Sequence, residues 1–326
     1  MNKKQNNTFF INTLIIIITN FVVKMLGLIN KIAITRMLGT NGMSLYVLSF
    51  PTIMLFISIA GFSLNITISK LVSEAIVSRK YSPKKLVKKS CLYSVLLSFI
   101  MLILYLIFLK PLTIHFLKNE DLFYPLLAGI SDGLKGYFTG IKKMHISSLG
   151  NLIEQIGRIG FSLIFLYIML PYGIITATFF CLLALSFGEI CAIIYSLIKI
   201  KKYPIESYDN TSGEGKAIIA MAVPTTTSRL IGNFTYFLEP ILYTTILSYL
   251  GYKVTDIQTT YTILDAYTIP LLTFISFLPF ALSTAMVPSV SEASALNKTN
   301  SLHYYIRKSL TFCLIPSIIL SINLFL

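Results

Sequence analysis

Charge is scarce in this chain. Aspartate, glutamate, lysine and arginine make up 12% of its 326 residues, about half the share of an ordinary soluble domain. Acid is scarcer still: 13 Asp and Glu stand against 27 Lys and Arg, for a net charge of +14. Cysteine occurs four times, at Cys91, Cys181, Cys191 and Cys313, always inside apolar stretches and never with CxxC spacing. That pattern fits small buried hydrophobes and argues against a redox or metal site. The three histidines, His115, His145 and His303, stand singly at segment ends or in loops. No nucleophile with a base, no metal-ligand cluster and no glycine-rich phosphate loop stands out. No enzyme is expected, and no cofactor beyond a coupling Na+ or H+.

What the chain has in excess is apolar surface. Hydrophobic residues make up 55% of it and its mean hydropathy is +0.76. A bilayer span takes about 20 mostly apolar residues, and nine such stretches follow one another at approximately 9–36, 47–69, 90–109, 122–141, 146–169, 174–198, 217–249, 258–288 and 309–326. The expectation is an all-α, multi-pass protein of the cell membrane. The start, "MNKKQNNTFFINTLIIIITNFVV", imitates a signal peptide but lacks a small-x-small cleavage site, and its apolar run continues too far. It is expected to remain as the first helix.

The positive charge is distributed by topology, which excludes a nucleic-acid face. With the N-terminus in the cytoplasm, Lys3 and Lys4, the run from Lys70 to Lys89, Lys142 and Lys143, Lys199 to Lys216, and Lys298 to Lys308 all fall on the cytoplasmic side. Arg36, Lys110, Lys118 and Lys253 fall on the other. Lysine and arginine prefer cytoplasmic loops, so this asymmetry predicts a cytoplasmic N-terminus, with contact to anionic lipid as a lesser role of the same loops.

A polar stretch, "KIKKYPIESYDNTSGEGK" (199–216), separates six spans from the rest and reads as a cytoplasmic linker between residues 1–198 and 217–326. Residues 63–75, "SLNITISKLVSEA", align without gaps with 281–293, "ALSTAMVPSVSEA" (from 63 to 281, an offset of 218). Both segments close the second expected helix of their half, which fits a duplication about an axis along the membrane normal. By that offset the last residue corresponds to the end of the third helix. The expectation is a complete lobe of six helices and a partial lobe of three, in a fragment, a truncated reading frame or a half-degenerate protein.

Charges inside apolar stretches are costly, about 2.5–3.5 kcal/mol each at a lipid-facing centre, so they are expected to face the bundle interior. Lys24 and Lys31, seven apart, share a helix face. They form either a cationic wall for an anionic substrate or partners for Glu154 or Asp132, with Lys31 alternatively reaching to the interface. Asp132 and Lys135 are i,i+3 neighbours beside a stripe of Gly129, Gly133, Gly136 and Gly140, whose ordinary meaning is close helix packing. Glu154 and Arg158, one turn apart, either neutralise each other or divide labour, with Glu154 or Asp132 taking a coupling proton or Na+ and the cations holding substrate. Glu189 is also among the intramembrane charges. Arg229 and Glu239 flank "SRLIGNFTYFLEPIL", where Pro240 is expected to bend the helix. Pro270, Pro279 and Pro288 interrupt the next one, which carries Asp265. The candidate substrate-binding cations are thus Lys24, Lys31, Arg36, Lys135, Arg158 and Arg229, and the candidate ion-coupling carboxylates Asp132, Glu154, Glu239 and Asp265.

The stretches "VVKMLGLINKIAITRMLGTNGMSLY", "ISKLVSEA", "LKGYFTGIKKM" running into "LIEQIGRIG", "TTTSRLIGNFTYFLEPIL" and "AYTIPLLTFISFLPFALSTAMVPSVSEA" resemble the stage V sporulation protein B group. That group is a branch of the polysaccharide-biosynthesis flippases in the multidrug/oligosaccharidyl-lipid/polysaccharide exporter superfamily. The resemblance implies two six-helix lobes around a cavity of alternating access, with further C-terminal helices. It also implies an undecaprenyl-linked saccharide or peptidoglycan precursor as cargo, in spore cortex or envelope synthesis. Lys24, Lys31, Arg36 and Arg229 match basic positions of the pattern. Lys135 stands where the group often has arginine, which keeps the charge without the bidentate grip on phosphate, and His145 stands where it often has proline. Expected partners are the bilayer, a lipid-linked sugar and envelope-synthesis proteins, and no nucleic acid. A cation-coupled exporter of small molecules on the same fold, or a truncated protein that does not transport, are the alternatives.

Overall fold

Lipid offers no hydrogen-bond partner to a backbone amide, so apolar stretches of this length close their hydrogen bonds inside helices. The computed structural model describes the backbone of residues 3–115, 123–209, 211–273 and 276–325, and the side chains of 11, 13–100, 131–209, 211–273, 276–307 and scattered positions beyond. Every regular element among the described residues is helical. They are α1 (Lys3–Ala60), α2 (Leu64–Ser78), α3 (Pro83–His115), α4 (Phe123–Gly140), α5 (Met144–Met169), α6 (Ile174–Lys202), α7 (Glu214–Tyr249), α8 (Val254–Ile263), α9 (Ile269–Leu272), α10 (Phe277–Ala295) and α11 (Thr299–Phe325). The expected third to seventh spans and the ninth each coincide with one helix.

The first two spans meet without a loop: α1 is two helices joined across a kink at Gly39 (φ 69°, ψ −178°), within the interval 37–46 that separates the two stretches in the sequence. Glycine reaches that positive φ without a Cβ penalty, so the chain turns a corner there without spending a loop. A further break comes at 61–63, inside the stretch 47–69 that reads as continuous, where Phe62 and Ser63 both adopt left-handed φ values (48° and 46°). Hydropathy does not reveal it because "AGFS" is itself apolar.

The eighth span is broken, as its prolines suggest. A wide π turn at Leu264–Thr268 joins α8 to α9, and the helices before and after residues 273–276 meet at 60°. Pro270 and Pro279 flank that break, whereas Pro288 sits inside α10 without interrupting it. Pro240 likewise does not break α7, which stays helical through Pro224 and Pro240. Each proline removes one amide donor, and the turns on either side are long enough to hold the rod.

By length and composition, Thr13–Ser78, Met144–Tyr172 and Ile174–Lys202 qualify as membrane-crossing among the described residues, and the bent pair of 254–272 with 277–295 makes a fourth. Parts of α3, α4 and α11 lie outside the described side chains, so the expected nine spans are not counted on them. The same holds for Lys3, Lys4, Lys110, His115, Lys118 and Lys308, and for Gly129.

Two apolar cores organise the bundle. One joins α1, α5, α6 and α8 around Leu38, Tyr46, Leu166, Leu182 and Tyr261. The other joins α2, α3, α4 and α7 around Leu64, Ile68, Phe138 and Ile218. The glycine stripe of α4 belongs to the second: a Cβ at Gly136 would lie 2.7 Å from the Asn65 carbonyl of α2, so close packing is what these glycines provide. A smaller cluster ties Ile16 of α1 and Met144 of α5 to Ala281 and Ala285 of α10. The last of these contacts closes one side of the site described next.

The linker between α6 and α7 is tied to the first turn of α3 and to Ser82 before it. Lys84 N–H donates to the Glu206 carbonyl (3.0 Å), Tyr208 N–H to Ser82 Oγ (3.1 Å), and Lys85 Nζ to the Thr211 carbonyl (2.8 Å). Glu214 sits at its end, 1% exposed, accepting from Lys89 Nζ at 3.1 Å and from Thr211 Oγ1 at 2.7 Å. Burial works against its ionisation, but these hydrogen bonds, its own backbone amide and the Lys89 charge outweigh it and hold the carboxyl at about 2.

Candidate functional site

The charged residues of α4, α5 and α6 meet because α5 and α6 nearly touch. A Cβ at Gly188 would fall 2.7 Å from the Glu154 carbonyl, and one at Gly157 would fall 3.0 Å from Cys191 Sγ. This approach brings the carboxyls of Glu154 (α5) and Glu189 (α6) to one ammonium, that of Lys135 on α4. Lys135 Nζ lies 2.5 Å from Glu154 Oε2 and 3.6 Å from Glu189 Oε2. Arg158 Nη2 donates to the other oxygen of Glu154 at 2.6 Å. Lys135 is 2% exposed and Glu189 5%. Buried charges of this kind persist only with partners, and removing one partner costs about 3–5 kcal/mol.

These groups line a cavity of about 310 Å³ together with Asp132, Asn20 of α1, and Phe280 and Thr284 of α10. Asn20 Nδ2 is buried without a hydrogen-bond partner. The cavity therefore lies between the first six helices and α10, polar at one wall and apolar at the other.

A second cluster joins α1 to the broken eighth span. Lys31 Nζ is 3.7 Å from Asp265 Oδ2 and donates to the Asp265 carbonyl at 3.2 Å, while Tyr236 Oη donates to Asp265 Oδ1 at 3.1 Å. The π turn explains the arrangement, because it places the side chain and the carbonyl of Asp265 toward the same ammonium. Lys24 Nζ donates to the Thr273 carbonyl at 2.6 Å and to Ser276 Oγ at 2.8 Å, so it caps the end of α9 at the break. Glu239, half-buried on α7, lies within electrostatic reach of Asp265.

The predicted residues thus divide. Asp132, Lys135, Glu154 and Arg158 come together in the cavity. Lys31 meets Asp265, not Glu154 or Asp132. The Glu154–Arg158 pair forms across one turn as its spacing allows, but Lys135 turns from its own-helix neighbour Asp132 to the carboxylates of α5 and α6. Arg36 and Arg229 are exposed, Arg229 within electrostatic reach of Asp132. Glu189 completes the network and was not among the candidate site residues. Gly188 beside it, opposite the glycine of "EQIGRIG", is the sequence signal that marks the close helix approach. A further ion pair joins Lys142, in the α4–α5 turn, to Glu292 of α10.

Comparison with known proteins places this geometry. The family model described as polysaccharide biosynthesis protein matches residues 9–294. The chain belongs to that family. It is 32% identical to stage V sporulation protein B of Bacillus subtilis (strain 168) over 98% of its own length, and spans 65% of that relative. It is 25% identical to the sporulation protein YkvU of the same organism, over 90% of this chain and 67% of the relative. The fold is that of a multidrug resistance MATE family transporter of the MOP superfamily solved in an outward-facing conformation (TM-score 0.66, 16% identity, 92% of this chain and 68% of the other). With its apolar helices, this makes the chain a membrane protein of the exporter fold.

Proposed function

We propose that this protein is a flippase that moves an undecaprenyl-linked saccharide or peptidoglycan precursor across the cytoplasmic membrane by alternating access, in the service of spore cortex or envelope polysaccharide synthesis. The observation that carries the reading is a cavity with buried, mutually paired charge between the first six helices and α10, in a chain of the polysaccharide biosynthesis family. Alternating access needs two bodies that part around a site. We assign them to residues 1–198 and 217–326, joined by the linker 199–216, with the N-terminus in the cytoplasm. The lysines of α1 hold the seam on one side, where Lys24 and Lys31 bind the broken eighth span, and Lys142 with Glu292 holds another. On this reading Lys135 and Arg158 exchange their carboxylate partners for the diphosphate of the cargo, and the protein works with envelope-synthesis enzymes rather than as one.

Reconstitution in vesicles with a fluorescent undecaprenyl-diphosphate saccharide tests it. Protein-dependent transfer between leaflets, strongly reduced by Lys135→Met, is expected. Transfer no faster than in protein-free vesicles sinks the reading.

Three carboxylates, Asp132, Glu154 and Glu189, line the cavity beside two cations, and this favours a second reading, cation-coupled export of small organic cations. Dye efflux driven by a Na+ or H+ gradient, with no effect of lipid-linked sugar, would decide for it.

A further inference from the structure

The shortest ion pairs of Lys135 and Arg158 both go to one carboxylate. Glu154 receives Lys135 on one oxygen at 2.5 Å and Arg158 on the other at 2.6 Å. It is held as an anion. Glu189 receives far less: Lys135 stands 3.6 Å from its Oε2, and that buried atom has no hydrogen-bond partner. Glu189 is also within hydrogen-bonding reach of Glu154. Two carboxylates cannot donate to each other, and two bare ones so close repel. One added proton resolves both problems, because a protonated Glu189 donates to the anion beside it.

The other groups facing Glu189 do not supply that proton's charge. Asp132 and Lys135 face it from α4, and Glu154 and Arg158 from α5. The walls from α1 and α10 contribute the uncharged Asn20, Phe280 and Thr284. Arg229 acts on Asp132 but is exposed on α7.

We infer that Glu189 is a proton-binding site of this protein, and that Lys135 is the moving element that answers its charge. When the proton leaves Glu189 for water in the cavity, the Lys135 ammonium shifts from Glu154 toward the new carboxylate. Glu154 is then left with Arg158 alone. When a proton returns, the ammonium goes back. No bond other than O–H is made or broken, and the charge of the cluster changes by one each time the proton leaves or returns. Where the proton movement is tied to transport, the inference rests on the exporter reading; the proton site itself does not.

Infrared difference spectroscopy of the purified protein in nanodiscs, titrated through neutral pH, reads the site without any cargo. The wild type is expected to show the carbonyl stretch of a protonated carboxyl that disappears on alkalinisation. Glu189→Gln should abolish that band, while Asp132→Asn and Glu239→Gln should keep it. A band that persists in Glu189→Gln, or a wild type with none at any pH, overturns the inference. Should Glu189→Gln not fold, Glu189→Asp supplies the same reading by moving the band, and an unmoved band overturns it equally. In reconstituted vesicles, Glu189→Gln should also remove the pH dependence of transfer. If the wild type transfers nothing yet the band behaves as expected, the exporter reading fails and the proton site stands.

Discussion

Residues 39–79 and 251–297 make the same turns in the same order, and then put them to different uses. Each begins at a glycine of positive φ, Gly39 (69°) and Gly251 (83°), continues through a helix to a break, and ends in a left-handed residue, Arg79 and Asn297, both at φ 53°. The glycines are separated from 39 to 251, an offset of 212, whereas the end residues and the VSEA segments keep the offset of 218. The extra residues of the second segment therefore fall after the break, where α10 has 19 residues and α2 has 15. In the first copy, α2 is wedged among α3, α4 and α7 by its buried face. In the second, α8 and α9 are irregular, and the longer α10 lines the cavity and reaches Lys142. The charges of α4, α5 and α6 pair with one another, whereas the ion pairs described for the later helices reach back to α1, α3 and the α4–α5 turn.

That contrast is broken most directly at its two anions. Glu154→Ala leaves Lys135 and Arg158 both without their main partner in a buried site, an expected loss of about 3–5 kcal/mol. Asp265→Asn keeps shape and part of the hydrogen bonding, and its Lys31 partner has 29% of its side chain exposed, so about 1–2 kcal/mol is expected. Denaturant unfolding in detergent micelles compares them. Equal losses would mean that the second cluster is as essential to the fold as the first, and the distinction between the two regions would fall.

How much of this was legible in the sequence follows from the range of each interaction. Helices α3 to α7 were readable because a span needs a long apolar run, which composition records. The Glu154–Arg158 pair was readable because one turn of helix fixes it. The break at 61–63 was not, since its residues are apolar and only their φ values set them apart. Nor was the choice of Lys135 between Asp132 and Glu154, which depends on how far α5 approaches α6. Glu189 was visible as an intramembrane charge, but its role comes from Gly188 and from three helices converging, which spacing along one chain does not encode. The sequence leaves Lys24 either as part of a substrate wall or as a partner of Glu154 or Asp132; its contact with the end of α9 is not legible there, because the exact place of the proline-flanked break decides which carbonyl is left open.

The linker offers a smaller effect with a defined sign. Glu214 is held at about 2, below its ordinary value of 4.5. A depressed pKa contributes stability that is complete above the unfolded value and is lost as pH falls from there through the folded one. Between pH 4.5 and 2, then, protonation of Glu214 should loosen the tie to Lys89 and Thr211. Protection factors for amide exchange at residues 203–213, taken against the intrinsic rate at each pH, are expected to fall as pH drops through that window in the wild type, and to be low throughout in Glu214→Gln. Unchanged protection across the window would show that the backbone contacts of Lys84 and Tyr208 hold the linker alone, and would leave the joint between the two regions independent of charge.

The smallest effect tests the repeated VSEA segment itself. Glu292 pairs with Lys142 across the two regions, with side chains 21% and 34% exposed, while its counterpart Glu74 takes part in no ion pair among the described residues. Partly exposed pairs are worth about 0.2–1 kcal/mol. A double-mutant cycle of Glu292→Gln with Lys142→Ala is expected to return a coupling of that size. The same cycle with Glu74→Gln should return none, since Glu74 makes no ion pair with Lys142 among the described residues. Coupling at both glutamates would mean that the two copies still act alike. Coupling at Glu292 alone would mean that the longer α10 carries a contact between the two regions that α2 lacks.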